Sequence, residues 1–275
     1  MNVLSIQSEV VFGHVGHGAA RFALQRLGHE VWALPTVLYS SHAGYPCVQG
    51  DTASPDLLRR LLEGLAANGW LARCDAVLSG YLGNAEQADV VAEAVFRAKR
   101  ANPSALYCLD PVLGDDGRAY AKPGVAEAIA RQLLPLADIV TPNAFELLQL
   151  SALPVSDRID AKIAAERLGR PLVLVTSVPD GADRIGVLAV SRSECWFAST
   201  PLLEEVPHGA GDLIAALFLV GQIKGSTLEG ELKRNVACVF QILSASRGCE
   251  ELRLIEEQDA LINPPRVANL LLEKI

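Results

Sequence analysis

Read for its hydrophobic and polar positions, the chain alternates two kinds of segment. Short apolar runs, often rich in β-branched residues, occur at NVLSIQ (2–7), CDAVLSGYL (74–82), ALYCLDPVLG (105–114, a strand followed by a loop), DIVTPN (138–143) and PLVLVTSV (171–178). They predict buried strands. HEVWALPTVLYS (29–40) reads as extended, and 184–203 as two strands joined by SRSE. Between these runs lie stretches with apolar residues at helical spacing: 16–28, ending at Gly28; 54–71, with Ser54 as cap and Pro55 in the first turn; 84–102; 124–137; 144–152; and 160–169. Helical patterns over 211–225, 228–248 and 264–275 complete the chain.

Alternation of this kind predicts an α/β domain with a mostly parallel central sheet covered on both faces. Ligands in such sheets sit beyond the carboxyl ends of the strands, so residues that carry chemistry should fall just after strands. No internal repeat or linker interrupts 1–275, which predicts a single domain.

Composition narrows the function. Half of the 275 residues are hydrophobic and 20% are charged, a globular balance. A net charge of −8 argues against a general nucleic-acid binder, but leaves room for a locally positive pocket that takes an anion. The six cysteines form no CxxC pair, which argues against a zinc site. The first residues lack a basic leader and already read as a strand, and no apolar run reaches the roughly 18 residues of a membrane span. A reduced, cytoplasmic protein is expected.

Several polar residues fall at predicted strand ends: Ser8, Tyr81, Asp110, Asn143, Glu146, Thr176 and Ser177. Asp212 follows a further turn, HGAGD, just before an apolar run. Small residues there let backbone N–H groups converge, and the following helix directs its positive end to the same place, which suits a phosphate. Asp212 is placed to take a proton from an attacking hydroxyl, or simply to complement the helix dipole. Asp110 and Glu146 have the chemistry to hold Mg²⁺ directly or through water. Taken singly, Asp110 is also a turn former before Pro111, Glu146 a first-turn acid and Asn143 a helix cap. His14 and His17 either line a pocket beside Ser8 or are loop groups. Walker-lysine, HExxH and Gly-x-Ser-x-Gly motifs are absent.

The motifs taken together say more. IQSEVVFGHVGHGAA, LPTVLYSSH, SGYLGNAEQ, LDPVLGDDGRAY, TPNAFELLQL, VLVTS and HGAGD occur in one order. Across nearly its whole length the chain resembles pyridoxal kinase of the bacterial type, in the ribokinase-like superfamily. The resemblance implies a three-layer α/β/α sandwich, ATP as phosphoryl donor, Mg²⁺, and the 5′-hydroxymethyl group of pyridoxal (with pyridoxamine and pyridoxine as related acceptors), in a homodimer. It makes Asp212 the catalytic base and the amides of Gly209, Ala210 and Gly211 the anion hole. Ser8 would bond the pyridine ring; Val15, His42, Ala43, Gly44, Tyr45 and Tyr81 would border the vitamer. Asp110 and Glu146 would arrange Mg²⁺ and the phosphates. Thr141, Asn143, Thr176 and Ser177 would lie on the ATP phosphate side, and Thr200, Pro201, Leu202 and Leu203 beside the nucleotide.

The chain departs from the family pattern at Ala43, where relatives often carry Thr, at His208, and in the short connection PLLEEVPHG (201–209). Two other functions are weighed beside pyridoxal kinase: a hydroxymethylpyrimidine kinase of the same superfamily, and a non-catalytic protein that binds pyridoxal phosphate.

Overall fold

A computed structural model describes residues 1–115 and 117–275. The predicted alternation is present. The strands are β1 (Asn2–Val10), β2 (Glu30–Tyr39), β3 (Gly50–Thr52), β4 (Ala76–Ser79), β5 (Leu106–Leu109), β6 (Gly114–Asp115), β7 (Arg118–Ala119), β8 (Ile139–Val140), β9 (Leu172–Pro179), β10 (Arg184–Ser191), β11 (Cys195–Pro201) and β12 (Leu271–Lys274). The helices are α1 (His17–Arg26), α2 (Pro55–Ala67), α3 (Gln87–Ala101), α4 (Val125–Ala128), α5 (Ala144–Ser151), α6 (Arg158–Arg167), α7 (Ala210–Ile223), α8 (Leu228–Ala245) and α9 (Asp259–Ile262).

Ten strands form one sheet in the order β12-β11-β10-β9-β8-β5-β4-β1-β2-β3. The stretch from β2 to β9 is parallel throughout, and antiparallel strands extend it at both edges. The chain leaves β1 for β2 on one side and returns to β4 on the other, so the topology reverses at β1. A crevice beyond the carboxyl end of β1 is therefore the expected ligand position.

Side chains along the strands divide cleanly between the two faces, as the two-residue period requires. Val3, Ala76, Leu78, Cys108, Ile139, Leu172 and Leu174 pack with α1, α7 and α8. Leu4, Ile6, Val77, Tyr107, Leu109 and Val140 pack with α2 and α3 on the opposite face, and Val173 and Val175 with α6. Layers on both faces of a central sheet are the expected sandwich.

Helix starts follow the local chemistry. The side chains of Ser54, Asp157 and Thr227 accept backbone N–H groups at the starts of α2, α6 and α8. The starts of α1 and α7 have no side-chain cap: their N-cap residues are Gly16 and Gly209, with φ of 54° and 106°.

The carboxyl-terminal expectation is corrected. The stretch 264–275 is not a helix; its end forms β12, antiparallel to β11, with Trp196 opposite Lys274 and Ser199 opposite Leu271. Pro264 and Pro265 have no N–H to donate, and the open edge of β11 offers the leucine run a hydrogen-bonding partner. The ammonium of Lys274 lies 5.7 Å from the Trp196 ring centroid, and Arg158 pairs with Glu273 at 2.8 Å, which secures this edge. The helical reading of 124–137 resolves into α4, a π-helical turn over Ile129–Leu133 and a 3-10 turn over Leu134–Leu136. The short strands β3, β6 and β7 lay outside the sequence expectation.

Candidate active site

The apolar run after HGAGD is the buried helix α7, with Leu213 to Gly221 all in the core. Each large apolar side chain in such a run contributes roughly 1.5–3 kcal/mol on burial, so the helix axis is firmly held. Its amino end is consequently fixed in place. Gly209 sits in the left-handed region, and a Cβ there would collide with the His14 carbonyl. Gly211 has open space where its Cβ would stand.

Asp212 lies in the first turn of α7 and is partly buried. Burial raises its pKa above the ordinary aspartate value. The backbone N–H of Gly16, the nearby His17 and its own N–H act in the opposite direction. Gly16 is the N-cap of α1, so the amino ends of two helices converge on one carboxylate. The same glycine passes so close to Ser8, within β1, that a Cβ would strike its hydroxyl and carbonyl. Ser8, Gly16 and Asp212 are thereby joined.

Asp110 and Glu146 are buried, at 6% and 3% exposure. Burial drives the Asp110 pKa well above the carboxylate range; the charges of Glu146 and Asp212 add to this, and a hydrogen bond from Thr141 Oγ1 at 3.1 Å opposes it. Glu146 is pushed up to about 7, mainly by burial. Its Oε1 accepts the Leu113 N–H at 2.8 Å and its Oε2 the Asn143 N–H at 2.9 Å, while Asn143 Oδ1 accepts the Glu146 N–H at 2.9 Å. This is a complete capping box at the start of α5. Val112, between Asp110 and Leu113, has a φ of 44°. That is a strained conformation for a β-branched residue, and the chain reverses there just before the amide that meets Glu146.

Asp110, buried and with its pKa raised further by the charges of Glu146 and Asp212, makes a suitable environment for a divalent cation, whose charge relieves the repulsion. Among the described residues no group of three or more His, Cys, Asp or Glu side chains has the arrangement of a metal cage. With both Glu146 oxygens already accepting amides, the donor set fits Mg²⁺ held largely through water and phosphate oxygens.

On the other side of β1, Tyr81 is half-buried, and its carbonyl accepts the Thr36 hydroxyl at 2.6 Å. Gln87, fully buried, organises this loop: its amide donates to the carbonyls of Thr36 and Ala53, each at 2.8 Å, and its oxygen accepts the Gly83 N–H at 2.7 Å. Val15, in the loop between β1 and α1, is buried. The segment His42–Tyr45 packs its rings against one another, 4.7 Å between centroids, and His42 meets His208 at 4.9 Å.

The residues expected on the nucleotide side divide. Thr176 bridges to Asn143, which unites the ends of β8 and β9, and Ser177 has a φ of 56°. Asn143 itself is committed to the capping box and to the Gly114 carbonyl at 2.7 Å. Thr200 and Pro201 end β11, which runs in the same direction as β9 and so finishes at the same edge of the sheet. Leu202 donates its N–H to Asp183 at 2.8 Å and borders a cleft of about 350 Å³ lined also by Ala182, Glu204 and Arg247. This stretch is anchored to the β10 hairpin rather than to the carboxylates. A second cleft of about 460 Å³ lies between α1, α7 and α8, lined by Leu27, Val220 and Lys224 from the carboxyl-terminal parts of α1 and α7, away from this chemistry.

Sequence reasoning missed four contributors: Gly16, whose N–H reaches Asp212; Gln87; Glu251; and Tyr120. The Tyr120 phenol, on a residue 42% exposed, has its pKa raised by burial and by the charges of Glu146, Asp212, Asp110 and Asp115. Glycine at the first helical turn and a tyrosine five residues after Asp115 carry no spacing signal of their own.

The family described as phosphomethylpyrimidine kinase matches residues 53–249. The chain is 43% identical to the pyridoxal kinase PdxY of Rubrobacter xylanophilus, over 96% of this chain and 95% of that protein. It is 42% identical to the pyridoxal kinase PdxY of Deinococcus radiodurans, over 96% and 93%. The structure of pyridoxal kinase from Leishmania donovani in complex with ADP and pyridoxamine superposes with a TM-score of 0.94 at 32% identity, covering 100% of this chain and 99% of that one. Pyridoxal kinase from Entamoeba histolytica gives 0.92 at 27% identity, with the same coverage. Agreement of this extent in sequence and in backbone identifies the chain as a member of the pyridoxal kinase family, with the ribokinase-like sandwich expected of it.

Proposed function

We propose that this chain, a pyridoxal kinase by family, transfers the γ-phosphoryl group of ATP to the 5′-hydroxyl of pyridoxal, with Asp212 as base. The observation that carries the reading is the position of Asp212. Its carboxylate sits at the uncapped amino end of α7, close to Gly16 at the start of α1 and to Asp110.

Phosphoryl transfer needs alignment and charge neutralisation more than covalent help. The amides of Gly209, Ala210 and Gly211, with the positive end of α7, receive the transferring group. Asp212 accepts the hydroxyl proton as the oxygen–phosphorus bond forms, and its raised pKa makes it a better base than an ordinary aspartate. Ser8 and the segment His42–Tyr45, with Val15 and Tyr81, enclose the vitamer. Thr141, Asn143, Thr176 and Ser177 border the phosphates of ATP, and Thr200 to Leu203 its nucleoside. Asp110 and Glu146 hold Mg²⁺ through water; when bound, the ion neutralises phosphate charge. We further assign the working form as a cytoplasmic homodimer. In support of location, no described helix is long and apolar enough to cross a membrane, and all six cysteines are free.

A second reading, hydroxymethylpyrimidine phosphorylation, is favoured by the description of the matching family and by the similar ring and hydroxymethyl arm of that substrate. Rates with pyridoxal, pyridoxamine, pyridoxine and hydroxymethylpyrimidine, each with ATP and Mg²⁺, separate the two. Pyridoxal should show the highest kcat/KM. A higher value for hydroxymethylpyrimidine would overturn the assignment, and absence of ATP consumption with every acceptor would leave only a binding protein.

A further inference from the structure

Glu251, in the segment after α8, serves none of the roles assigned above. Its side chain is 12% exposed and meets two distant parts of the chain. Oε2 accepts the His14 N–H at 2.8 Å. Oε1 accepts the Tyr45 hydroxyl at 2.8 Å and faces His42 Nε2 at 3.3 Å. Gly13 runs so near that a Cβ on it would lie 2.8 Å from the carboxyl group.

The tautomer of His42 follows from these contacts. The Gly44 N–H donates to His42 Nδ1 at 3.1 Å, so that nitrogen carries no proton. The ring proton sits on Nε2, directed at Glu251. Burial, with His208 beside it, lowers the pKa of the ring and keeps it neutral. Both ring nitrogens of His42 are therefore committed within the protein, and the ring offers the vitamer a face rather than a hydrogen bond. Loop 13–14 also touches the anion hole, since the His14 carbonyl lies where a Gly209 Cβ would stand.

We infer that Glu251 is a positioning residue that clasps the 42–45 segment to the 13–14 loop and so sets the vitamer-facing wall against the phosphate turn. The inference rests on the reading that His42–Tyr45 border the vitamer. A carboxylate suits the task because it accepts from three donors at once, whereas a carboxamide of the same shape has one accepting oxygen.

Steady-state kinetics of Glu251→Gln, Tyr45→Phe, the double variant and His42→Ala test it. Glu251→Gln should raise KM for pyridoxal roughly 10-fold, as expected when a buried donor loses its acceptor, and should change kcat and KM for ATP less. Tyr45→Phe should raise the same KM by a smaller factor, and the double variant should fall short of the product of the two, because both act through one contact. An unchanged KM for pyridoxal in Glu251→Gln, or multiplicative effects in the double variant, would overturn the inference. If Glu251→Gln fails to fold by circular dichroism, Tyr45→Phe alone decides by the same criterion. His42→Ala separates the levels: if it raises KM while Glu251→Gln does not, only the clasp is wrong. If neither does, the placement of the vitamer wall is wrong and the clasp falls with it.

Discussion

Gly16, the N-cap of α1, lies beside the carboxylate of Asp212 in the first turn of α7, and its backbone N–H draws the Asp212 pKa down. Asp212 remains a base, since burial raises its pKa while the Gly16 amide restrains the rise. Asp212→Asn keeps the shape and removes the basicity. Turnover should fall by about 10²–10⁴-fold, the usual contribution of a positioned base, while ATP affinity stays within a few-fold. Initial rates with a binding titration of ATP check this; near-normal turnover would remove Asp212 from the mechanism.

Gly209 and Gly211 differ physically although both belong to one short motif. Gly209→Ala forces a side chain into the left-handed region and against the His14 carbonyl. A loss of about 1–3 kcal/mol in stability is expected. Gly211→Ala meets nothing within 4 Å and places alanine in a helix. It should gain up to about 1 kcal/mol yet lose turnover, because the methyl group occupies space next to the transferring phosphate. Thermal melts and rates of the two variants together read out the contrast. A Gly211→Ala enzyme with full turnover would place the phosphate elsewhere.

Gln87 tests how the loop proposed to border the vitamer is supported. Gln87→Leu keeps most of the volume but strands the Gly83 N–H and two carbonyls in the interior. At roughly 1–3 kcal/mol for each stranded group, the variant should unfold at clearly lower urea concentration than the parent. Surviving folded enzyme should have a raised KM for pyridoxal, because Thr36 also holds the Tyr81 carbonyl.

These outcomes indicate what could be read from the sequence. Strand positions were legible because apolar runs and turn residues mark them locally: Asp110 directly follows β5, whereas Ser8 and Thr176, expected at strand ends, lie within β1 and β9, which run on to Val10 and Pro179. The reach of Gly16 to Asp212 and of Glu251 to His14 and Tyr45 was not legible. Those pairs are separated by most of the chain, and only the closed sheet and its loops bring them together. The terminal leucines misled for a related reason: their spacing suits a helix, but an open strand edge decided their conformation. Glu146 was readable in both of its senses, as a cap and as an acid near phosphate, and it has both surroundings: the capping box and the acidic group.

Asp110 illustrates a conflict between stability and function. Its ionisation is opposed by burial and by Glu146 and Asp212, so in Mg²⁺-free buffer Asp110→Asn, which cannot ionise, should stabilise the fold by about 1–2 kcal/mol at the alkaline end of the pH range while reducing turnover by an order of magnitude or more. The pH dependence has a definite sign. Glu146 has a folded pKa of about 7 against an ordinary 4.5, so the folded state holds its proton more tightly than the unfolded state. Its contribution to stability is complete below 4.5 and is lost as pH rises through about 7. Urea unfolding in EDTA should therefore show stability declining from about pH 5 to pH 8. Asp110→Asn, which removes a second carboxyl whose folded pKa is raised, should decline less steeply, and added Mg²⁺ should flatten the parent curve. Parallel curves for parent and variant, with and without the ion, would mean that the two carboxylates do not share an electrostatic site.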